Sequence, residues 1–189
     1  MRTALYIHGF NSAGSSNKAE NIRQKLAPMK VLTPTFAYKD FNAVLKQLRS
    51  IFMMQKIDVV IGTSLGGFLA LYCGATYNKY CVAINPVTKP HETLRKMLGE
   101  NCNFVTKEKY IMTEQDLAVY QKFTEKEFAK IKVNPNKTHF LLSLDDEVLG
   151  DHHYLEEQYP GCKFEYFEGL GHRFAAMKPI GNAIEKFEK

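Results

Sequence analysis

The residues with the clearest chemical potential surround one serine. The segment Gly62-Thr63-Ser64-Leu65-Gly66 fits the pattern G-x-S-x-G, in which a sharp turn between a strand and a helix exposes a nucleophilic hydroxyl. Residues 59–61 before it are β-branched, as in a buried central strand, and residues 68–71 after it are typical of a helix. Because glycine lacks a Cβ atom, the flanking glycines let a strained turn pack closely. This context favours a nucleophile at Ser64 over a structural glycine-rich turn.

A serine hydroxyl is a poor nucleophile at its ordinary pKa and needs a base within hydrogen-bonding distance. Among the six histidines of the chain, His172 lies in a glycine-flanked loop directly after the last predicted strand, from which its imidazole could reach the serine. We interpret His91 and His139 as surface-loop residues, and His152 and His153 as residues that cap or flank a solvent-exposed helix. His172 is therefore the predicted general base.

Three consecutive acidic residues, Asp145, Asp146 and Glu147, follow a predicted strand at residues 138–144. Asp145 should still follow the pleat of that strand, and Glu147 should point to the opposite side. Asp146 lies where the chain turns, two residues before Val148, so we predict that it orients the histidine. The resulting chain order of serine, aspartate and histidine is that of the α/β-hydrolase fold.

The loop after the first predicted strand can supply charge stabilisation. That strand ends at His8 and Gly9, where backbone N–H groups can face the nucleophile. We predict that the N–H groups of Phe10 and Leu65 form an oxyanion hole, and we interpret His8 as structural. Since two aligned amides stabilise the charge that a metal would otherwise take up, we expect no metal and no cofactor.

Strands and helices alternate along the chain, which predicts a doubly wound, mainly parallel sheet of about six strands in one domain spanning residues 1–189. The predicted strands cover residues 3–8, 31–36, 58–62, 81–85, 138–144 and 163–167. The predicted helices cover residues 18–26, 41–52, 64 onward, 152–159 and 174–189. Pro34 places the second strand at an edge of the sheet, where a missing N–H group costs little.

The segment at residues 87–133 is too long for a simple crossover and is predicted to be a helical insertion, which is a candidate lid. Residues 91–98 and 114–128 look helical, with irregular chain at 101–110 between them. We expect Tyr110 and Tyr120 to bind substrate, walling an acyl pocket together with Phe104, Met112 and Leu117. A satellite hydrophobic cluster packed on the domain is the equal alternative.

Composition excludes several other classes of protein. The net charge is +5, but the lysines are scattered without a block of like charge, so we expect no nucleic-acid partner. The first residues are too weakly apolar for a signal peptide and no stretch reaches 18 apolar residues, so we expect a cytoplasmic protein without a membrane partner. The four cysteines are dispersed and predicted to be free thiols. No oligomeric state is favoured.

Several motifs resemble one known family, the YqiA/YcfP family of small bacterial α/β-hydrolase esterases. Residues 6–12 (YIHGFNS) are similar to its opening strand and oxyanion loop, and residues 62–68 (GTSLGGF) to its serine turn. Asn85-Pro86, residues 146–149 (DEVL) and Gly171-His172 follow in the order of the family. Two positions depart from it: Asp145 stands where the family usually has glycine, and Arg173-Phe174 follows the histidine.

The resemblance implies esterase or thioesterase activity on short acyl groups, with Ser64, Asp146 and His172 as the catalytic residues. The residues themselves favour acyl transfer to water through an acyl-enzyme on a small-molecule substrate. The alternatives are transfer to another acceptor, and an idle α/β-hydrolase scaffold that binds a protein or a small ligand.

Overall fold

The computed structural model describes residues 2–187 and contains eight strands. They are β1 (Thr3–Ile7), β2 (Lys30–Leu32), β3 (Val59–Thr63), β4 (Tyr80–Ile84), β5 (Gly99–Cys102), β6 (Lys109–Met112), β7 (Thr138–Ser143) and β8 (Lys163–Phe167). Six of them form one sheet in the order β2-β1-β3-β4-β7-β8, with every neighbouring pair parallel. The predicted parallel sheet is confirmed, and β2, although shorter than expected, lies at its edge.

Within residues 2–187, seven α-helices connect and cover the strands. They are α1 (Asn17–Lys25), α2 (Phe41–Met54), α3 (Leu65–Thr76), α4 (Pro90–Thr93), α5 (Glu114–Lys126), α6 (Tyr154–Gln158) and α7 (Lys178–Lys186). Three short 3-10 helices lie at Leu94–Met97, Phe128–Lys130 and Pro135–Lys137. Among the helices of residues 2–187, none is long and apolar enough to cross a lipid bilayer.

The core consists of two apolar layers, one on each face of the sheet. Along β1, Ala4 and Tyr6 pack with α1 and α7, whereas Leu5 and Ile7 pack with α2 and α3. Successive side chains of a strand point to opposite faces, so a strand covered on both faces is apolar throughout. This double coverage confirms the doubly wound α/β class expected from the sequence.

The insertion at residues 87–133 contains the two helical stretches that we predicted, as α4 with the 3-10 helix Leu94–Met97 and as α5, but it also contains two strands. Residues 101–110, expected to be irregular, contain most of an antiparallel hairpin of β5 and β6. Its turn is closed by Asn103, whose Oδ1 accepts hydrogen bonds from the N–H groups of Val105 and Thr106. The strands have four residues each and show no strict apolar alternation, so periodicity could not reveal them.

The last helix also begins later than predicted. Phe174 has a φ of 45° and is fully buried, so the chain turns sharply there and α7 starts only at Lys178. A bulky residue rarely adopts the left-handed region, and this turn is closed by hydrogen bonds from the Phe174 N–H group to the carbonyl oxygens of Leu170 at 3.1 Å and Gly171 at 3.3 Å. The predicted end of the helix at residue 189 lies outside the described residues.

Candidate active site

Ser64 occupies a strained turn between β3 and α3. Its φ of 57° and ψ of −120° lie in a region that residues other than glycine rarely adopt. A Cβ atom at Gly66 would lie 2.0 Å from the carbonyl oxygen of Ile7, and one at Gly62 would lie 2.0 Å from the carbonyl oxygen of Gly66. Close backbone approach under the serine therefore requires both glycines of the motif.

A continuous hydrogen-bonded chain joins three of the predicted site residues. The Oγ atom of Ser64 lies 2.9 Å from Nε2 of His172, and Nδ1 of the same imidazole lies 2.8 Å from Oδ2 of Asp146. An ionised carboxylate only accepts hydrogen bonds, so the Nδ1–H group donates to Asp146. In this tautomer Nε2 is the acceptor of the hydrogen bond from the Ser64 hydroxyl group.

Asp146 is buried and accepts hydrogen bonds from both backbone and side chains. Its Oδ1 atom accepts from the N–H groups of Val148 at 2.9 Å and Leu149 at 2.8 Å. His152 Nε2 lies 2.9 Å from its Oδ2 atom. Burial alone would raise the pKa of Asp146, but the hydrogen bonds from His152, His172 and Leu149 outweigh burial and lower the pKa below its usual value. The carboxylate is therefore ionised at neutral pH.

Two of the other histidines lie where the sequence did not place them. His152 was expected beside a solvent-exposed helix but is buried against Asp146, and His139 was expected in a surface loop but is buried within β7. Both interpretations are wrong, because a carboxylate lies beside each buried ring: Asp146 Oδ2 is 2.9 Å from His152 Nε2, and Glu165 Oε1 is 3.0 Å from His139 Nε2. His153, in contrast, has an exposed side chain that pairs with Asp151.

The acidic neighbours of Asp146 hold the backbone of the loop that carries His172. Asp145 accepts hydrogen bonds from the N–H groups of Leu170 at 3.3 Å and Gly171 at 3.2 Å. Glu147 accepts from the N–H group of His172 at 2.8 Å. The expectation that Glu147 points to the opposite side is therefore wrong, since the β8–α7 loop passes beside all three acidic residues.

Asn85, directly after β4, is a positioning residue that our sequence reasoning did not identify. It is fully buried with a φ of 40°. Its Nδ2 group donates to the carbonyl oxygens of Gly171 at 3.1 Å and His172 at 3.2 Å, and its Oδ1 atom accepts from Ser143 N–H at 2.8 Å. The available signal was an asparagine at the carboxyl end of a predicted strand, where ligand-binding loops of such sheets meet.

The loop predicted to supply the oxyanion hole lies against the serine. A Cβ atom at Gly9 would lie 4.0 Å from Ser64 Oγ. Among the described residues, neither the Phe10 nor the Leu65 backbone N–H group has a hydrogen-bond acceptor. His8 Nε2 accepts from Phe36 N–H at 2.9 Å, so its Nδ1–H group donates to the Gly9 carbonyl oxygen at 2.8 Å. Burial lowers the pKa of His8 to about 4 and keeps the ring neutral.

The β5–β6 hairpin is attached to this same loop through Asn11, which has a φ of 56°. The hydroxyl group of Tyr110 donates to Asn11 Oδ1, and the N–H group of Phe104 donates to the Asn11 carbonyl oxygen at 2.9 Å. The Nδ2 group of Asn103 donates to the carbonyl oxygen of Ser12 at 2.8 Å. These contacts fix the conformation of the loop that carries Phe10.

The two tyrosines predicted to bind substrate do not line the cavity beside Ser64. Tyr120 lies in the core, where its hydroxyl group donates to the Tyr38 carbonyl oxygen at 2.6 Å and its ring packs on Phe41. Tyr110 lies behind Phe10, with ring centroids 6.4 Å apart. The expectation for both residues is corrected, because a hydrogen bond to the Tyr38 backbone directs Tyr120 into the core and a hydrogen bond to the Asn11 side chain holds Tyr110 away from the cavity.

A cavity of about 850 Å³ opens beside Ser64 and His172. Its apolar lining residues include Val87, Leu94, Met97, Phe104, Val105 and Val148, which we call the apolar wall. Its polar lining residues include Ser12, Ser15, Asn17, Lys18, Asn21 and Arg173. A volume of this size is typical of sites for small molecules. Phe104 is the member of the predicted tyrosine-rich pocket that does reach the cavity.

The strand order and the serine turn at the carboxyl edge of the sheet define the class of α/β-hydrolase-fold proteins. Within that class, a model of the family described as Uncharacterised protein family (UPF0227) matches residues 3–189. The chain belongs to this family, which is the YqiA/YcfP family that its motifs resemble.

Several solved structures share this fold. Est1E from Butyrivibrio proteoclasticus shares 15% identity at a TM-score of 0.69, over 100% of this chain and 89% of that one. Mouse alpha/beta hydrolase domain-containing protein 10 shares 14% identity at a TM-score of 0.69, over 98% and 89%. The esterase domain of a Rhodothermus marinus protein shares 17% identity at a TM-score of 0.65, over 98% and 85%. These similarities show the α/β-hydrolase fold.

Proposed function

We propose that this protein is a serine hydrolase that cleaves short-chain acyl esters or thioesters, with Ser64 as nucleophile, His172 as general base and Asp146 as the acid that orients the base. The observation that carries the proposal is the hydrogen-bonded chain from Ser64 Oγ through both nitrogens of His172 to Asp146. The same arrangement of groups activates serine in unrelated hydrolases. Esterases among the solved structures of this fold support the same reaction class.

The reaction follows from the positions of these groups. His172 Nε2 takes the hydroxyl proton as Ser64 Oγ attacks the carbonyl carbon, and the imidazolium that forms is stabilised by ionised Asp146. The proton passes to the leaving alcohol or thiol when its bond to the acyl carbon breaks. Water, deprotonated by the same imidazole, then attacks the acyl-enzyme and releases the acid and Ser64.

The oxyanion of each tetrahedral intermediate needs hydrogen-bond donors beside Ser64. In this proposal the donors are the N–H groups of Phe10 and Leu65, neither of which has an acceptor among the described residues. Such groups, held in place before the reaction, each contribute about two to three orders of magnitude in rate in enzymes where one has been removed. The hairpin attached to Asn11 keeps the Phe10 loop in that position.

A fluorophosphonate probe tests the nucleophile directly, because only an activated serine reacts with it. We expect labelling that maps to Ser64, and loss of both labelling and ester hydrolysis in Ser64→Ala, the latter on the order of 10⁴-fold or more. Ser50→Ala, which removes an exposed hydroxyl on α2, is the matched control and should keep both. Folded wild-type protein without labelling or hydrolysis would instead indicate an idle scaffold that only binds.

A substrate panel then separates ester from thioester cleavage. Acyl chains of increasing length on one alcohol and on one thiol are compared by kcat/KM. The cavity of about 850 Å³ accommodates a small-molecule ester, so we expect kcat/KM to fall once the acyl chain is too long to be covered by the apolar lining residues.

The expected cytoplasmic location is part of this proposal, and cell fractionation tests it.

A further inference from the structure

The cavity beside Ser64 carries an uneven distribution of charge. Three cationic residues, Lys18, Lys96 and Arg173, are among those that line it. None of the described residues that line it is an aspartate or a glutamate, and Asp146 itself is covered by His172. The local excess of positive charge is therefore three, in a chain with 25 basic and 20 acidic residues.

Lys18, Lys96 and Arg173 are not among the basic residues that form ion pairs with carboxylates in the described part of the chain. Lys39 pairs with Asp116, and Lys186 pairs with Glu165. No carboxylate lies within ion-pair distance of Lys96 or Arg173 in the part of the chain that the structure describes. A charge without an intramolecular partner at the mouth of a cavity is available to a ligand.

Lys18 lies against the loop that carries His172. Its ammonium group donates a hydrogen bond to the carbonyl oxygen of Arg173, the residue after His172. Burial, followed by the positive charge of Arg173, lowers the pKa of Lys18 to about 8. The ammonium is still mostly protonated at pH 7, and a nearby anion would stabilise it further.

Building on the proposed serine hydrolase activity, we propose that the natural substrate is an ester or thioester with a carboxylate or phosphate on one of its two moieties. Arg173 and Lys18 would bind this anion, and the apolar wall defined above would contact the hydrocarbon moiety. A guanidinium matches the geometry of both anions because it can donate two parallel hydrogen bonds.

Two matched pairs of esters test the charge preference. In the first pair the leaving group carries the charge: the butyrate ester of 4-hydroxybenzoate against that of methyl 4-hydroxybenzoate. In the second pair the acyl group carries it: 4-nitrophenyl hydrogen adipate against 4-nitrophenyl methyl adipate. Each kcat/KM is divided by the uncatalysed rate, since the charge also changes intrinsic reactivity. We expect the anionic member of one pair to be preferred about tenfold or more, the order of one charge-assisted contact.

Variants then assign the preference to the cations of the cavity. We expect Arg173→Gln and Lys18→Met each to lower the anionic-to-neutral ratio severalfold, and 0.5 M NaCl to lower it in the wild-type protein through screening. Lys122→Gln, which removes an exposed lysine of α5 away from the cavity, should leave the ratio unchanged. Circular dichroism and melting temperature establish that each variant is folded.

The outcomes separate this inference from the function on which it rests. Hydrolysis of both members of both pairs at equal normalised rates would overturn the anionic substrate and leave the serine hydrolase intact. A preference that survives in both Arg173→Gln and Lys18→Met would also overturn it, because another feature would then recognise the anion. If no ester of either pair is hydrolysed, both the proposed function and this inference are wrong.

Discussion

Replacing Asp146 by asparagine changes one oxygen into an NH2 group at the carboxylate on which the site depends. That carboxylate accepts from two backbone N–H groups, of Val148 and Leu149, and from the imidazoles of His152 and His172. Asparagine can keep its oxygen toward the backbone donors, which turns its NH2 group toward the imidazoles. The N–H groups of the asparagine then face Nδ1 of His172 and Nε2 of His152, which both donate to the carboxylate of Asp146 in the wild-type protein.

The consequence for catalysis follows from the tautomer of His172. With an NH2 group opposite Nδ1, the imidazole proton moves to Nε2, which then cannot accept the proton of Ser64. The corresponding substitution in the best-studied serine protease triad lowers kcat about 10⁴-fold, and we expect a loss of that order here. Weakening the charge-assisted hydrogen bonds should also lower the free energy of unfolding by about 1.5–3 kcal/mol.

The neighbouring acidic residues supply two controls. Asp145→Asn and Glu147→Gln each keep an oxygen that can accept from the backbone of the His172 loop. Neither side chain contacts the imidazole of His172 among the described interactions, so we expect each variant to lose less than tenfold in kcat. All three variants are compared on one ester after circular dichroism establishes folding. A larger loss in Asp145→Asn than in Asp146→Asn would refute the assignment of the acid.

The pH dependence of stability gives a second readout of the same variant. Because the pKa of Asp146 is lower in the folded protein than in the unfolded chain, its contribution is complete above the unfolded value of about 3.9 and is lost as the pH falls further. Urea unfolding should therefore show the stability difference between wild type and Asp146→Asn narrowing as the pH falls below about 4. A difference that widens with acid would contradict the lowered pKa.

Three further predictions concern residues around the site. Tyr110→Phe should lower kcat about tenfold without changing the acyl chain-length preference, because it removes the hydrogen bond that holds Asn11. Tyr120→Phe should lower only the melting temperature. A changed chain-length preference in either variant would contradict these placements. His152→Phe should lower kcat about tenfold at constant KM, because it removes the hydrogen bond to Asp146. His152→Gln should lose less, because its amide can still donate to Asp146. Equal losses in kcat would indicate that His152 contributes only by packing. The pKa of His8 is lower in the folded protein, at about 4, than in the unfolded chain, at about 6.5. The contribution of His8 to the free energy of unfolding should therefore decrease as the pH falls from about 6.5 to about 4. The NMR resonances of its ring should not titrate between pH 8 and pH 5.5.

The amino-acid sequence by itself was sufficient for features that depend on neighbouring residues. The glycines around Ser64 follow from the steric demands of one turn, and the β-branched run before them predicts a strand covered on both faces. Alternation of strands and helices then implies a parallel sheet, because each crossover returns the chain to the same edge. This is why the serine, the acidic loop and the glycine-flanked histidine could be expected at one edge.

Only the tertiary structure decided which side chains meet, because contacts between loops distant in sequence depend on the path of each loop. Asp146, Glu147 and His152 lie within seven residues of each other, yet their directions are set by the β8–α7 loop that crosses them. Tyr120 and Tyr110 show the same dependence, since one backbone acceptor draws Tyr120 into the core and Asn11 holds Tyr110 behind the loop that carries Phe10. Hydrophobic periodicity can predict that a residue is buried. The residue that forms a hydrogen bond with its buried polar group is known only from the folded structure.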